Sequence, residues 1–226
     1  WDELRDQCPV AHTNRYGGVW LPVRHADVSA IAYDTEHFSS EVVVVSNAPR
    51  TDEIESLAPV GGAPPITSDP PFHHDARRVL LPAFSPKVID QWEPEVRRLC
   101  RELLDTIGDA PTFDAAIAYA QHIPINVIAR MIGLPLEDSE YFRETVHLVL
   151  EAVGAEFGDR KIGFEKLDAY IHQHVQDHIT HPKDDLIGFL LNAKIFDQPL
   201  SPAHVTGTII LLLVAGIDTT WSAIGS

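Results

Sequence analysis

The stretch Leu200 to Ser226, LSPAHVTGTIILLLVAGIDTTWSAIGS, constrains this chain more than any other. Ser201 suits the cap of a helix N-terminus and Pro202 the first helical position. The residues that follow are apolar on nearly every side, the pattern of a helix crossing the middle of a core. Within it, Ala215-Gly216-Ile217-Asp218-Thr219-Thr220 is expected to interrupt the helix. Gly216 weakens helical structure. A Thr219 hydroxyl bonded back to the Ala215 carbonyl loosens it further. A buried Asp218 requires a partner or a proton. A core helix that opens around a carboxylate and a hydroxyl is a candidate proton-handling site, with Asp218 and Thr219 as its candidate catalytic residues. The same residues also suit the plain end of a core helix whose polar groups are satisfied.

The chain has 226 residues, enough to bury a sizeable core in one large domain or two small ones. Its 45% hydrophobic and 22% charged residues are those of a globular protein. A net charge of −16 argues against nucleic acid and anionic membranes as partners. Cys8 and Cys100 make neither a disulfide framework nor a zinc motif, so a reducing compartment is the default. The opening WDELRDQCPV is too polar for a secretory leader. The apolar run from Ile209 to Ile217 is far shorter than the ~18 residues of a membrane span. A soluble, cytoplasmic protein is expected.

Taken in order, Gly17 to Arg24 reads as a turn and a short strand, and His25 to Asp34 as a short helix. Glu41 to Pro65 is a long connection broken by Gly61-Gly62-Ala63-Pro64-Pro65, of a length that is either functional or a disordered insertion. In Thr67 to Ser85, Asp69 is expected to cap a helix begun by Pro70 and Pro71. His73 and Arg77, four apart on one face of it, can grip one anionic group by charge-assisted bonds, or can simply be solvated. Lys87 to Ile107 is amphipathic, with Pro94 starting a new segment and Arg97, Arg98 and Arg101 on the polar side. Helices are expected over Phe113 to Gly133, over Ser139 to about Val153 and over Phe164 to Thr180, with a glycine-rich loop from Gly154 to Gly163. His174, His178 and His181 form a stripe that could bind a metal, although its polar neighbours favour an exposed face. Asp184 to Leu191 is a short capped helix, and Asp197-Gln198-Pro199 a turn. The fold class is mainly α, with a small β region near the N-terminus.

Together these residues carry a resemblance. The Ala215-Gly216-x-Asp218-Thr219-Thr220 signature resembles the long central helix of the soluble bacterial cytochromes P-450, the haem-thiolate monooxygenases. Asp69-Pro-Pro-x-His73-x-x-x-Arg77-Arg78 and Ala83-Phe84-Ser85-Pro86 resemble that family's propionate-holding helix. Gly18-x-Trp20 through Arg24, Asp27-Val28 and Phe38-Ser-Ser resemble its entry strands and first helices, and Asp184-Asp185-Leu186 falls where the family places such a segment. Phe72 stands where an acid is common and Asp75 where a base is common.

The resemblance implies that residues 1–226 are the N-terminal portion of a single haem monooxygenase domain with haem b as cofactor. The Glu-x-x-Arg helix and the axial cysteine loop would lie beyond Ser226, so no metal ligand is expected here and the chain alone should be inactive. It implies that His73 and Arg77 neutralise a haem propionate, that Ala215 and Gly216 line the dioxygen site, that Asp218 relays protons and that Thr219 orients the hydrogen bonds around dioxygen. The implied partners are dioxygen, a small hydrophobic organic substrate, and an electron donor, either a ferredoxin with its reductase or a fused reductase. Glu41 to Pro65 and the Ala152 to Gly163 region match where the family builds substrate contacts. Two other classes stay open: a non-catalytic binding or recruitment module on the same fold, and an unrelated helical metal-binding scaffold built on the histidine stripe.

Overall fold

The computed structural model describes residues 1–41, 62–150 and 157–225. The element order is α1 (Asp2–Gln7), β1 (Val10–Thr13), β2 (Val19–Pro22), α2 (His25–Tyr33), α3 (Phe72–Leu80), α4 (Pro86–Asp90), α5 (Glu93–Ile107), α6 (His122–Ile132), α7 (Ser139–Leu150), α8 (Phe157–Thr180), α9 (Leu186–Leu191), β3 (Lys194–Ile195), β4 (Gln198–Pro199) and α10 (Pro202–Gly225). The fold is mainly α, with two small antiparallel strand pairs, β1–β2 and β3–β4. Strand β1 was not anticipated. It pairs with β2 so that His12 lies opposite Trp20, their rings 4.5 Å apart.

Helix α10 is the axis of the core, packed against α6, α7, α8 and α9. Ser201 caps it as anticipated, its hydroxyl accepting the His204 N–H at 3.1 Å. Val205, Ile209, Ile210, Leu213 and Ile217 are at most 1% exposed. Each such side chain contributes roughly 2 kcal/mol by leaving water. They meet Ile125, Ile128, Ala129 and Ile132 of α6, Phe142 and Val146 of α7, and Leu167, Ile171 and Val175 of α8 in one cluster. By length and composition α10 passes as a candidate membrane span. Its apolar residues are instead those of the core. Residues 1–41 stand outside this cluster, and none of those whose burial is described is fully buried.

Helix α8 ends at Thr180 as anticipated but starts earlier than expected. It begins at Phe157, inside the stretch read as a glycine-rich loop, of which residues 154–156 lie outside the described residues. Gly163 is helical because α7 passes close by: a Cβ there would lie 3.0 Å from Val149 Cγ2 and 3.2 Å from Leu148 Cβ. Its missing side chain therefore serves contact between helices rather than a break. Toward its C-terminal end, the histidine stripe is divided: His181 is exposed as anticipated, His174 is half-buried and His178 is enclosed. His178 is 1% exposed, and among the described residues no three His, Cys, Asp or Glu stand close enough to hold a metal ion.

The reason lies in Asp185. One of its oxygens accepts the Gly188 N–H at 3.0 Å and caps α9, as anticipated. The other meets His178 Nε2 at 2.8 Å, while His178 Nδ1 lies 2.7 Å from the His174 carbonyl oxygen. Both ring nitrogens thus face oxygen acceptors, which hold the ring in one orientation. The same carboxylate lies where a Cβ on Gly133 would stand, 2.3 Å from Oδ2. Gly133 ends α6 in the left-handed conformation, φ 97° and ψ 24°, which favours glycine in any case. One carboxylate therefore joins the end of α6, the C-terminal part of α8 and the start of α9.

Helix α5 starts with Pro94 in its first turn, as anticipated. Arg97 and Arg98 pair with Glu93, Glu95 and Glu102 along its solvated side, and Arg130 of α6 reaches across to Glu95. The segment before α6 is wound more loosely than expected, as a π-helical turn over Ala116–Ala120. Asp197 and Phe196 turn the β3–β4 hairpin with left-handed φ of 61° and 50°.

Removing the Asp185 carboxylate leaves a buried His178 ring nitrogen without its partner and an uncapped helix. Asp185→Ala in the whole protein should cost about 3 kcal/mol, measured as a lowered thermal unfolding midpoint. A midpoint equal to that of the unmutated protein would rule out this junction as a source of stability.

Candidate functional site

Two helices carry the residues singled out by sequence. On α10 the predicted interruption is absent: the helix runs unbroken through the signature. The predicted side-chain bond is present, with Thr219 Oγ1 donating to the Ala215 carbonyl oxygen at 2.6 Å. The helix tolerates it because Ala215 and Thr219 lie on an exposed face, where a doubly used carbonyl strains no packing. Asp218 is half-buried rather than enclosed, and it has no hydrogen bond or ion pair among the described residues. It needs no buried partner, because it is only half-buried. Gly216 faces away from Ala215, and a Cβ on it would lie 3.4 Å from Ile128 Cγ1 of α6. In this structure, then, Gly216 packs α10 on α6, and Ala215 and Thr219 form the open stripe.

This arrangement has a chemical consequence. With its hydrogen directed to Ala215, the Thr219 oxygen offers only lone pairs to the open face and acts there as an acceptor. Successive residues of an α-helix point about 100° apart. Asp218 and Thr219 therefore face different directions, and a proton moving from the carboxyl to the threonine side travels through water.

Helix α3 carries His73 and Arg77. Its buried side is Ala76 and Leu80. His73, half-buried, flanks that side, and Arg77 lies just beyond it in solvent. Arg77 makes no ion pair among the described residues, whereas Arg78 pairs with Asp75. The guanidinium of Arg77 and the ring of His73 are thus available to one anionic group. Asp69 does not cap α3. Its Oδ1 accepts the Ser40 N–H at 2.8 Å, and the Ser39 hydroxyl and the Ser40 N–H hold its carboxyl below the usual carboxylate range. The helix starts instead with the His73 N–H donating to the Asp69 carbonyl oxygen at 3.0 Å.

The two helices are joined by a contact that sequence reasoning missed. The Phe72 ring, at the start of α3, meets the His204 ring of the first turn of α10 edge to face, centroids 5.6 Å apart. Phe196 of the β3–β4 turn closes on Phe72 from 6.5 Å. No local pattern signals a pair so distant in sequence. No hydrogen bond or ion pair links His73 or Arg77 to Asp218 or Thr219 among the described residues, so the structure brings the two pairs into one molecule without joining them directly.

No family model matches the chain. It is 31% identical to the erythromycin C-12 hydroxylase of Saccharopolyspora erythraea, over 99% of this chain and 54% of that protein. It is 34% identical to cytochrome P-450 119 of Sulfolobus acidocaldarius, over 100% of this chain and 59% of that protein. Other relatives are named cyclomarin C epoxidase and nocardicin C N-oxygenase. Among solved structures, a mutant of P-450 EryK in complex with erythromycin B superposes with a TM-score of 0.78 at 28% identity, covering 97% of this chain and 55% of that one. The fold is thus that of the helical haem monooxygenases, and the proteins that match nearly the whole of this chain are cytochromes P-450. It spans about half the length of the curated relatives it matches.

Burial holds the His204 imidazole below the ordinary histidine value of 6.5. The folded state therefore binds its proton less readily than the unfolded state. The contribution to stability is complete above 6.5 and is lost as pH falls through the lowered folded value. His204→Phe, which keeps a ring against Phe72, should reduce the loss of thermal stability between pH 7 and pH 5 in the whole protein. An unchanged pH profile would show that His204 is not the group responsible.

Proposed function

We propose that the whole protein is a haem-dependent monooxygenase that takes two electrons from a redox partner and inserts one oxygen atom of dioxygen into a small, apolar organic substrate. On this reading, residues 1–226 are the N-terminal portion of its single catalytic domain and the distal side of its active site. The observation that carries the reading is the open stripe of Ala215 and Thr219 on a helix that is otherwise core, with the Thr219 hydroxyl tied to the Ala215 carbonyl.

The residues present fit haem. A flat apolar group needs a small residue beside its face, and Ala215 is small and exposed. Its anionic edge needs donors, and Arg77 and His73 are uncommitted ones beside the buried side of α3. Gly216, by drawing α10 onto Ile128, holds the stripe at a fixed depth. When bound, haem supplies the activation of dioxygen, and the protein supplies position and electrostatics.

The remaining roles belong to the chain's own side chains. Thr219 accepts a hydrogen bond at the open face and orients the group or water that donates it. Asp218, at the solvent margin, exchanges protons with bulk water and delivers them through water to the threonine side.

The electron donor is a ferredoxin with its reductase, or a fused reductase. The protein acts in the cytoplasm, in contact with neither membrane nor nucleic acid.

The test is made on the whole protein. Thr219→Ala should continue to consume electrons while releasing peroxide, with product per electron pair lowered on the order of tenfold or more. Equal coupling in mutant and unmutated enzyme would end the role given to Thr219. Arg77→Ala should weaken haem retention about tenfold, the effect of losing one charge-assisted bond, read as haem occupancy after gel filtration. Full occupancy in the mutant would overturn the propionate assignment.

A further inference from the structure

The first half of α10 carries a feature that the proton-handling signature does not use. Gly207 is a gap in a helix of large apolar residues, and it is fully buried. A Cβ there would stand 2.0 Å from the Gly62 carbonyl oxygen and 3.3 Å from Pro64 Cδ. The neighbouring Thr208, 1% exposed, donates its hydroxyl to the Pro64 carbonyl oxygen at 3.1 Å. Gly62 to Pro65 is therefore a strap seated on α10 by one notch and one hydrogen bond, with Pro64 and Pro65 buried.

The strap is also braced on its own side. Gly62 takes a left-handed φ of 79°. The Ala63 N–H donates to the Thr67 hydroxyl at 2.7 Å, and the Thr67 N–H donates to the Ala63 carbonyl oxygen at 3.3 Å. The turn thus arrives at α10 already shaped.

Helix geometry gives the seat its meaning. Thr208 and Ala215 are seven residues apart, within about 20° of two full turns, and Thr219 falls within about 20° of a third. All three lie on one stripe of α10. The strap covers that stripe at Thr208, and the stripe is open at Ala215 and Thr219. The distance along the axis from Thr208 to Ala215 is about 10 Å. Leu211 and Leu212, both half-buried, floor that interval.

We propose that Gly207 and Thr208 are positioning residues for substrate: they seat the Gly62–Pro65 strap at a fixed distance from Ala215 and Thr219, and so set the length of apolar group the site accepts. The inference rests on the monooxygenase reading and deepens it. The substrate end that lies over Leu211 and Leu212 is hydrocarbon. Thr208 acts on it only through the strap, because its hydroxyl is committed to Pro64.

The experiment uses the whole haem-loaded protein and a series of N-alkylimidazoles from methyl to octyl, whose binding is read from the haem spectrum. Unmutated protein should show an affinity that peaks at one chain length. Thr208→Val keeps the side-chain shape and removes the donor. It should shift the peak to longer chains and speed amide exchange at Ala63 and Thr67 about tenfold, the effect of leaving a buried carbonyl without its donor. Thr208→Ser, which restores the hydroxyl, should return both readouts. Gly207→Ala should shift the peak at least as far as Thr208→Val.

A peak that stays at the same chain length while all affinities fall together would reduce Thr208 to a structural residue and overturn the proposal. Unchanged exchange in Thr208→Val would overturn the seat itself. A protein that gives no spectral response to any imidazole would remove the haem reading, and the selectivity role with it. Exchange would then still decide separately whether the seat exists.

Discussion

Everything described depends on α10 meeting two demands on one helix. Its first half must be apolar enough to hold α6, α7, α8 and α9 around it, and its second half must leave one stripe unclaimed. The side chains divide the work by angle. Ile210, Leu213, Ile217 and Trp221 follow one another at steps of three and four and stay buried to the end of the helix. Ala215 and Thr219 fall on another side, where nothing in the described residues covers them. The core therefore anchors the site along its full length, and the site's polar groups do not enter the core.

The same economy governs the junction at Asp185. Three helix ends meet there, and helix ends carry unsatisfied backbone groups. A single carboxylate caps α9, meets the buried His178 ring of α8 and occupies the space that Gly133 leaves at the end of α6. Substitution at any of these positions therefore affects the other two. The aromatic cluster beside it adds rigidity: Tyr170 meets Phe142 edge to face and His174 at a tilt, and its hydroxyl donates to Asp138 at 2.6 Å. Burial first, and then that carboxylate, raise the Tyr170 phenol above its usual range, so it stays a hydrogen-bond donor.

What the sequence made legible was local. The Ser201 and Asp185 caps, the start at Pro94, the close at Gly133 and the bond from Thr219 to Ala215 each involve residues within a turn of one another, and each was anticipated. The family signature on α10 and α3 was legible because its spacing is set by helical periodicity. What escaped was decided by partners far along the chain. Gly163 reads as a breaker until Val149 of α7 is seen against it. His178 reads as solvated until Asp185 is found beside it. Asp69 reads as a cap, but its carboxylate serves Ser40, 29 positions away. Asp218 was expected to be enclosed because its helix is apolar, and the actual exposure depends on how α10 is rotated against α6. The seat of Gly62 to Pro65 on Gly207 and Thr208 joins residues 144 positions apart, and no pattern within either stretch announces the other.

The uneven distribution of buried residues also sets an order in time. The helical cluster can close once α10 has been made, because its apolar partners among the described residues are all within residues 72–221. Residues 1–41 are made before any of it. Their one strand pair is a two-stranded hairpin, which alone is marginal in water, and they bring no side chain to the cluster. During synthesis this segment waits until the residues of α10 have been made before the helical cluster exists for it to settle on. Residues 1–41 are thus among the last of the described parts to acquire a fixed place, and for that interval they are open to proteases and to chaperones.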